Sequence, residues 1–538
     1  MRKNKTMPSI ISNYTLLYEH VYSRYAYTSI LESLGEYDSK TSRYTIIGIL
    51  AEEVLYEKND EYFLKNLALN DETQVNWLDI LDEWVDLTTY NDGTPYQLGC
   101  IGYIGYENKY EFENMKKYLK KDTLVSKTFI VKYRITYVYD RATQKGMWLY
   151  YDDTDIKTIK QIEKSYQEKS HFEDFCVLGD IERDFTYDEY IKNIKQCISH
   201  INCGDIFQAN ITMRYHGMYK GEIYQLYKAL RSESPNPYFA LLDFDYPLIS
   251  TSPESYIEIN KNLIMGRPIK GTIRCLINDK DQGEKLIGSV KNCAENIMIT
   301  DLIRNDIGRV STIGSVKVLE LCELKKFNNL YHLQSVVCGN LRNNLKISDV
   351  LRTNFPGGSI TGAPKIKSME IIEDLEFVER GPYTGAIGFW GCNGYVNTSI
   401  GIRIIYFDKD KFYYHVGGGI VSKSNAFDEY NEIILKAEKL HNTLNKFNIL
   451  RTERNKIDKI DLKIIDLLTE RFDLIKIIAK IKNDNKIPII QNERIQNIIK
   501  DRVNYVKNTF QNLDEEFIKK IFYLIIENSM QFEESEEK

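Results

Sequence analysis

Little in this sequence marks a secreted, membrane-spanning or nucleic-acid-binding protein. Its nine cysteines form no CxxC pair and are odd in number, which argues against a disulfide framework or a zinc site. No segment approaches the roughly 20 apolar residues that span a bilayer. The N-terminus, MRKNKTMPSIISNY, carries basic residues but no apolar run of signal-peptide length. Neither charge sign dominates: 71 Lys and Arg against 77 Asp and Glu leave a net charge of −6, with no basic footprint for nucleic acid. Proline is scarce at 11, and the 39 tyrosines are scattered without forming a stacking motif. These absences predict a soluble, cytoplasmic protein with reduced thiols.

At 538 residues the chain exceeds one ordinary domain, and two to four units are expected. From about 15 to 445 short β-rich runs alternate with helical stretches. Strands are predicted at 129–139, 237–244, 384–390 and 411–421, and helices at 187–201, 293–306 and 426–447. Strands outnumber simple βαβ repeats, so the expected fold is α+β, a large domain on antiparallel sheets. After residue 450 no strand-like run remains. Apolar residues at Ile457, Ile460, Ile464, Leu467, Leu468, Ile475, Ile478 and Ile481 follow a helical period. Pro488 ends that helix, and two more are predicted at 491–507 and from Leu513 to about Phe532. A helix of about 30 residues is roughly 45 Å long. Three helices of such unequal length cannot cover its stripe within one chain, so this all-α segment is expected to form a homodimer.

Five segments, in order, carry a resemblance: STSPESYIEI (250–259), GRPIKGTIR (266–274), ENIMITDLIRNDIGRV (295–310), FPGGSITGAPKIKSMEIIE (355–373) and GGGIV with DEYNEIILK (417–436). Together they resemble the chorismate-utilising family of anthranilate, aminodeoxychorismate and isochorismate synthases. The resemblance divides the chain into 1–150, the N-terminal part of the synthase fold, 180–445, the chorismate-binding catalytic domain, and 450–538, the helical segment.

The residues suit that chemistry. Chorismate is a small dianion, and its site needs a divalent cation, fixed cations and backbone N–H donors. Glu295 opens an amphipathic helix and Glu432 lies in another beside Glu429, a pair of hard carboxylates suited to Mg²⁺ bridging to a substrate carboxylate. Acidic residues on helices are ordinarily solvated surface; the family match at both positions turns that balance. Lys436, four residues after Glu432, shares its helical face and is placed for a carboxylate beside the metal. By resemblance Arg403 binds a substrate carboxylate, Gly417, Gly418 and Gly419 let backbone amides approach it, and Ser359 joins the substrate-binding set. His332 matches a histidine beside the reacting ring, although a lone histidine is more often structural. Glu254 matches the general acid that protonates the departing C4 hydroxyl, and burial would keep it protonated.

Lys270 in PIKGT discriminates between reactions. The family carries lysine there when it makes aminodeoxychorismate, and usually alanine when it makes anthranilate or isochorismate. Addition at C2 needs open space, which a lysine fills; the resemblance implies that the amine itself attacks C2. Desolvated beside Mg²⁺ and Arg403, it would be nucleophilic. Where the family usually reads GTRPR, this chain has Gly271, Thr272, Ile273, Arg274 and Cys275. The competing whole-chain readings are an anthranilate synthase and a non-catalytic binding partner.

LESLGEY (31–37), SRYTIIG (42–48) and SPNPYFA (234–240) resemble the pocket in which family members hold tryptophan, with Glu32, Ser33 and Tyr238 lining it. Gly99-Cys100-Ile101-Gly102 is read as a glycine-rich strand, not a nucleophile elbow, so ammonia is expected from a separate glutamine amidotransferase subunit.

Residues 454–489 with LIIENSM (524–530) look like the all-helical chorismate mutase family. Lys482 follows Arg471 by 11 residues, about three turns, so both share a face. Arg454, 17 residues before Arg471, points about 100° away and suits the second site of an intertwined dimer. The resemblance also carries over Arg494 and Ser529, and it implies that the cations of the set clamp the carboxylates of a folded substrate. Ile495 stands where the family places a glutamate, and Gln491 where an aspartate is common. Glu533 replaces a frequent glutamine near the ether oxygen and is expected to serve only if protonated. A mutase for the 4-amino product, a weak chorismate mutase and a non-catalytic dimerisation or regulatory domain all remain open.

Overall fold

The computed structural model describes residues 3–36, 38, 41–88, 96–274, 280–327, 330–509 and 513–536. Cys275 therefore lies outside the described residues. The chain divides into two compact units, Met1–Ile449 and Leu450–Lys538, with the break where the strand-like runs cease. No helix among the described residues is long and apolar enough to cross a membrane. The eight described cysteines are all free.

Among the described residues the first unit is built on 22 strands joined in one network. Its two sequence segments are not separate layers. Ser29–Glu32 pairs with Tyr238–Leu242 and Gly99–Ile104 with Ala386–Gly391, so strands from 1–150 hydrogen-bond directly to strands from 180–445. The predicted strands fall at Thr128–Asp140, Tyr238–Leu242, Ala386–Gly391 and Lys411–Val421. The predicted helices fall at Tyr187–Asn202, Val290–Val310 and Ala426–Lys446.

Two of these helices carry the acidic residues. In Ala426–Lys446 the Asn425 side chain caps the N-terminus by accepting from the amides of Phe427 and Asp428, and Asp428 and Glu429 occupy the first turn, favourable against the helix dipole. Ile433, Ala437, Leu440 and Leu444 are buried at a helical period. Each of the three larger side chains contributes about 1.5–3 kcal/mol by burial. That stripe fixes the adjoining face, which bears Glu432 and Lys436, toward the cleft described below. Val290–Val310 is capped by Ser289 and anchored through Asn296, whose Nδ2 donates to Leu333 O at 3.1 Å and whose Oδ1 accepts from Ser335 Oγ. Asn296 thereby holds its neighbour Glu295 against the strand Leu330–Asn340.

The second unit is a helix of 36 residues, Ile449–Asp484, followed by Asn492–Thr509 and Glu515–Glu536. Ile499, Val503 and Ile526 form its small buried cluster, with Ile495, Ile498, Ile518 and Met530 packed against it. Much of the stripe on the long helix stays exposed: Leu467 is 64% exposed, and Ile457, Ile460, Ile464, Ile478 and Ile481 are exposed as well.

Candidate active site

A cleft of about 640 Å³ opens in the first unit. Glu254, Lys270, Glu295, His332, Ser359, Arg403, Gly417, Gly419, Glu432 and Lys436 all line it. Ten positions spread over 183 residues of sequence thus converge on one cavity. Gly418 is the exception among the expected set. A side chain there would meet Glu429 Oε2 and Ile433 Cγ2 at 3.6 Å, so it faces the helix Ala426–Lys446 while its two neighbours face the cleft, as strand alternation requires. Gly417 and Gly419 are closely approached: a Cβ would come within 2.8 Å of Thr212 Cγ2 and 2.5 Å of Gln208 Nε2 respectively.

Lys270 is aimed by a bulge. In the ladder between Ile269–Arg274 and Leu330–Asn340 the register shifts between Lys270 and Thr272, and the intervening Gly271 has φ +68°. An L residue is strained there, and a Cβ would also lie 3.0 Å from Leu286 Cδ1. The bulge keeps Lys270 in place although the sequence after Thr272 departs from the family pattern. Lys270 Nζ donates to the carbonyl of Ser359 at 3.3 Å. Burial pulls its pKa below that of an ordinary lysine, against the opposing pull of Glu254 and Glu295. Glu254 is 6% exposed, and its Oε1 has no hydrogen-bond partner among the described residues. Burial raises its pKa above the ordinary carboxyl range, with Lys270 opposing. Desolvation thus favours a neutral amine beside a neutral acid.

His332 is 3% exposed. Burial and then Arg403 push its pKa down to about 4, while a backbone hydrogen bond to Gly271 opposes. The ring is neutral near pH 7. Arg403 has φ +54°, unusual for a residue with a side chain and costing about 1–3 kcal/mol. Thr251 holds it there, donating to its carbonyl from both N and Oγ1 at 3.0 Å.

At one end of the cleft carboxylates and ammonium groups interleave. Lys291 Nζ lies 4.0 Å from Glu295 Oε1 and 3.8 Å from Glu429 Oε1. Lys436 Nζ lies 2.8 Å from Glu432 Oε1 and donates to Gly417 O at 3.1 Å. Burial and the neighbouring Glu432 and Glu429 raise the Glu295 pKa, with Lys270 and Lys291 opposing. For Glu432 burial pulls upward, but Lys436, Lys291 and Lys270 together lower the pKa. Among the described residues no three acidic, histidine or cysteine side chains form a ready-made metal site. Glu295 and Glu432 both line this end of the cleft, and they are the two carboxylates that would hold a divalent ion there. Glu295 Oε1, buried without a hydrogen-bond donor, is the open acceptor for it.

Other cleft residues, among them Lys291, Asn292, Tyr383 and His415, escaped the sequence reading. The i, i+4 spacing of Lys291 and Glu295, and that of His415 with Gly417 and Gly419 on alternate strand positions, were the available signals.

Glu32, Ser33 and Tyr238 line a second cavity, of about 40 Å³. A cavity of about 150 Å³ accommodates benzene, so an indole needs this one to open. The Glu32 carboxylate accepts from Arg231 Nε at 2.9 Å and from the Tyr227 hydroxyl, and Ser33 Oγ donates to Tyr44 O at 2.7 Å. Cys100 is fully buried on Gly99–Ile104, and burial pushes its thiol well up, which suits a structural strand residue.

In the second unit Arg471, Lys482, Ser529 and Glu533 come together. Arg471 Nη1 donates to Ser529 Oγ at 2.5 Å. Lys482 Nζ lies 2.6 Å from Glu533 Oε2 and donates to Ile489 O at 3.0 Å. Glu533, expected to need a proton, instead has a lysine partner. Arg454 and Arg494 are exposed. Arg454 sits about 25 Å along the helix from Arg471 at 1.5 Å per residue, beyond reach of its own chain's cluster. Ile495 packs into the seam between the second and third helices and supplies no polar contact.

Comparison with known proteins agrees with this geometry. Residues 34–442 match the family described as chorismate binding enzyme, and residues 453–534 match chorismate mutase type II. Aminodeoxychorismate synthase component 1 of Escherichia coli (strain K12) is 34% identical over 374 residues, 68% of this chain and 81% of that protein. Anthranilate synthase component 1 of Pseudomonas aeruginosa is 38% identical over 256 residues, 47% of this chain and 52% of that protein. The crystal structure of anthranilate synthase component I from Streptococcus pneumoniae superposes with a TM-score of 0.68 at 28% identity, over 76% of this chain and 94% of that one. The chain belongs to the chorismate-binding enzyme family and carries a chorismate mutase type II domain at its C-terminus.

Proposed function

We propose that the first unit is an aminodeoxychorismate synthase component 1, converting chorismate and ammonia to 4-amino-4-deoxychorismate through an adduct on Lys270. The observation that carries this reading is Lys270 inside the cleft beside Glu254 and Glu295. The Lys270 amine attacks C2, the ring double bond shifts, and the C4 hydroxyl leaves as water with the proton of Glu254. Ammonia then adds at C4, the electron pair shifts back, and the C2–N bond to Lys270 breaks. The amine departs as neutral Lys270 with both of its own hydrogens, and the proton lost by the incoming ammonia returns to Glu254. Arg403 and Lys436 hold the substrate carboxylates, and His332, neutral, orients the ring by hydrogen bonding.

A Mg²⁺ ion held by Glu295 and Glu432 would supply charge neutralisation at the ring carboxylate. Lys436 would then leave Glu432 and turn to the substrate. Ammonia is supplied by a separate glutamine amidotransferase subunit in the cytoplasm. We assign the cavity at Glu32, Ser33 and Tyr238 no regulatory role, because the Glu32 carboxylate is already bound by Arg231 and Tyr227; an aromatic amino acid such as tryptophan would have to displace them.

The second unit acts as a mutase on the amino product of the first. Arg471 and Lys482 clamp the carboxylates of the folded substrate, and the exposed stripe of the long helix, with Arg454 out of reach of its own cluster, supports an intertwined homodimer in which each chain completes the other's site. Product analysis of the full chain with chorismate, Mg²⁺ and ammonium tests the amination, and kinetics with chorismate and 4-amino-4-deoxychorismate test the mutase.

A further inference from the structure

His415 lies on the strand Lys411–Val421, on the face it shares with Gly417 and Gly419 by alternation, and all three line the cleft. Its ring is 2% exposed and stacks on Tyr383, with centroids 4.9 Å apart and planes at 12°. Nε2 lies 3.0 Å from the Tyr406 hydroxyl. Nδ1 is buried and meets no hydrogen-bonding group among the described residues.

The hydrogen-bond polarity of this group is fixed from outside the cleft. Arg214, opposite His415 in the ladder, donates to Asp184 Oδ2 at 2.5 Å and Asp122 Oδ1 at 2.7 Å, and its guanidinium also faces the Tyr406 hydroxyl. A phenol beside a guanidinium turns its lone pairs to the cation and its hydrogen away. The Tyr406 hydrogen therefore points to His415 Nε2, which accepts it. Burial, with Arg214 next, drives the His415 pKa far below that of an ordinary histidine, so the ring is neutral. A neutral imidazole that accepts at Nε2 carries its hydrogen on Nδ1. The result is a buried N–H donor, on a residue that lines the cleft, that no acceptor among the described residues satisfies; such a group calls for a partner.

We propose that His415 is a substrate-binding residue, its Nδ1–H donating to an oxygen acceptor of the bound substrate. Arg214 and Tyr406 are positioning residues that lock its tautomer. A neutral donor fits beside Arg403 and Lys436: it orients an oxygen without adding a third cation to a site that must also release a dianion. The inference rests on the amination reading.

The test uses the full chain with Mg²⁺ and ammonium, following initial rates of aminated product against chorismate concentration. If the unaltered chain aminates nothing, the amination reading fails. If it does, His415→Leu is expected to raise the chorismate KM about tenfold or more with a smaller change in kcat, as loss of a binding contact does. His415→Asn, whose Nδ2–H lies near the position of Nδ1–H, is expected to stay within about threefold of the unaltered chain. A Leu variant with unchanged KM overturns the proposal. So does an Asn variant impaired as severely as Leu, since that pattern means ring shape and not the donor is required. Melting temperatures of both variants separate loss of contact from loss of fold.

Discussion

Lys436 Nζ and Glu432 Oε1 lie 2.8 Å apart, one helical turn from each other on the same helix. The lysine proposed for the substrate thus neutralises a carboxylate proposed for the metal, and a divalent cation at Glu432 would have to displace it. On the proposed reading, a cation held at Glu432 would free the Lys436 ammonium for a substrate carboxylate, so that metal and substrate binding would be coupled.

Glu295→Gln and Glu432→Gln each remove one anionic ligand and should raise the Mg²⁺ concentration for half-maximal rate by about tenfold or more, a contribution of at least ~1.4 kcal/mol. Magnesium titrations of initial rate check this. Unchanged Mg²⁺ dependence in both variants would remove the metal site from the account.

The pH profile follows from two opposed shifts. The Lys270 pKa is lowered and the Glu254 pKa raised, both chiefly by burial. Protonation of the amine removes the nucleophile, so the acid limb belongs to Lys270 and lies below the ordinary lysine value of about 10.4. Loss of the carboxyl proton removes the general acid, so the alkaline limb belongs to Glu254 and lies above about 4.3. Rates measured at constant free ammonia should be bell-shaped, and Glu254→Gln should lose the alkaline limb. A variant that keeps both limbs contradicts the assignment.

Much of this was legible in the sequence because the signals were local. The two glutamate-bearing helices show their apolar period and their caps, Ser289 and Asn425, within a few residues, and the strand Lys411–Val421 shows its alternation directly. The motif order identified Glu254, Lys270 and Arg403, all of which reach the cleft. What sequence could not reach depends on neighbours far along the chain. The polarity of His415 is set by Tyr406 and by Arg214 about 200 residues earlier. The direction of Gly418 depends on which strand face the helix Ala426–Lys446 covers, and the Glu533–Lys482 pair joins two helices whose mutual register no local pattern states.

The C-terminal segment gives an independent prediction. Residues 450–538 alone should be dimeric by sedimentation, and Leu467→Lys, which charges the exposed stripe, should shift them to monomer. A monomer before substitution would mean the stripe serves another purpose.

Arg471→Ala should eliminate mutase turnover of either substrate by removing a carboxylate clamp. The unaltered chain should favour 4-amino-4-deoxychorismate, since Ile495 offers a C4 hydroxyl no acceptor, a loss of about 1–3 kcal/mol. Preference for chorismate in steady-state kinetics would make this an ordinary mutase, and turnover of neither substrate would make it a dimerisation or regulatory domain.

Tryptophan should leave the amination rate unchanged, because Glu32 is committed to Arg231 and Tyr227. Inhibition that is lost in Ser33→Leu would show instead that the cavity opens to an aromatic ligand.

The most direct test of the central claim is mass spectrometry of products formed from chorismate, Mg²⁺ and ammonium by the unaltered chain and by Lys270→Ala. The account predicts 4-amino-4-deoxychorismate, or its rearranged form, without pyruvate release from the unaltered chain, and no aminated product from a folded Lys270→Ala. Anthranilate with pyruvate, or an undiminished rate in the variant, would contradict it.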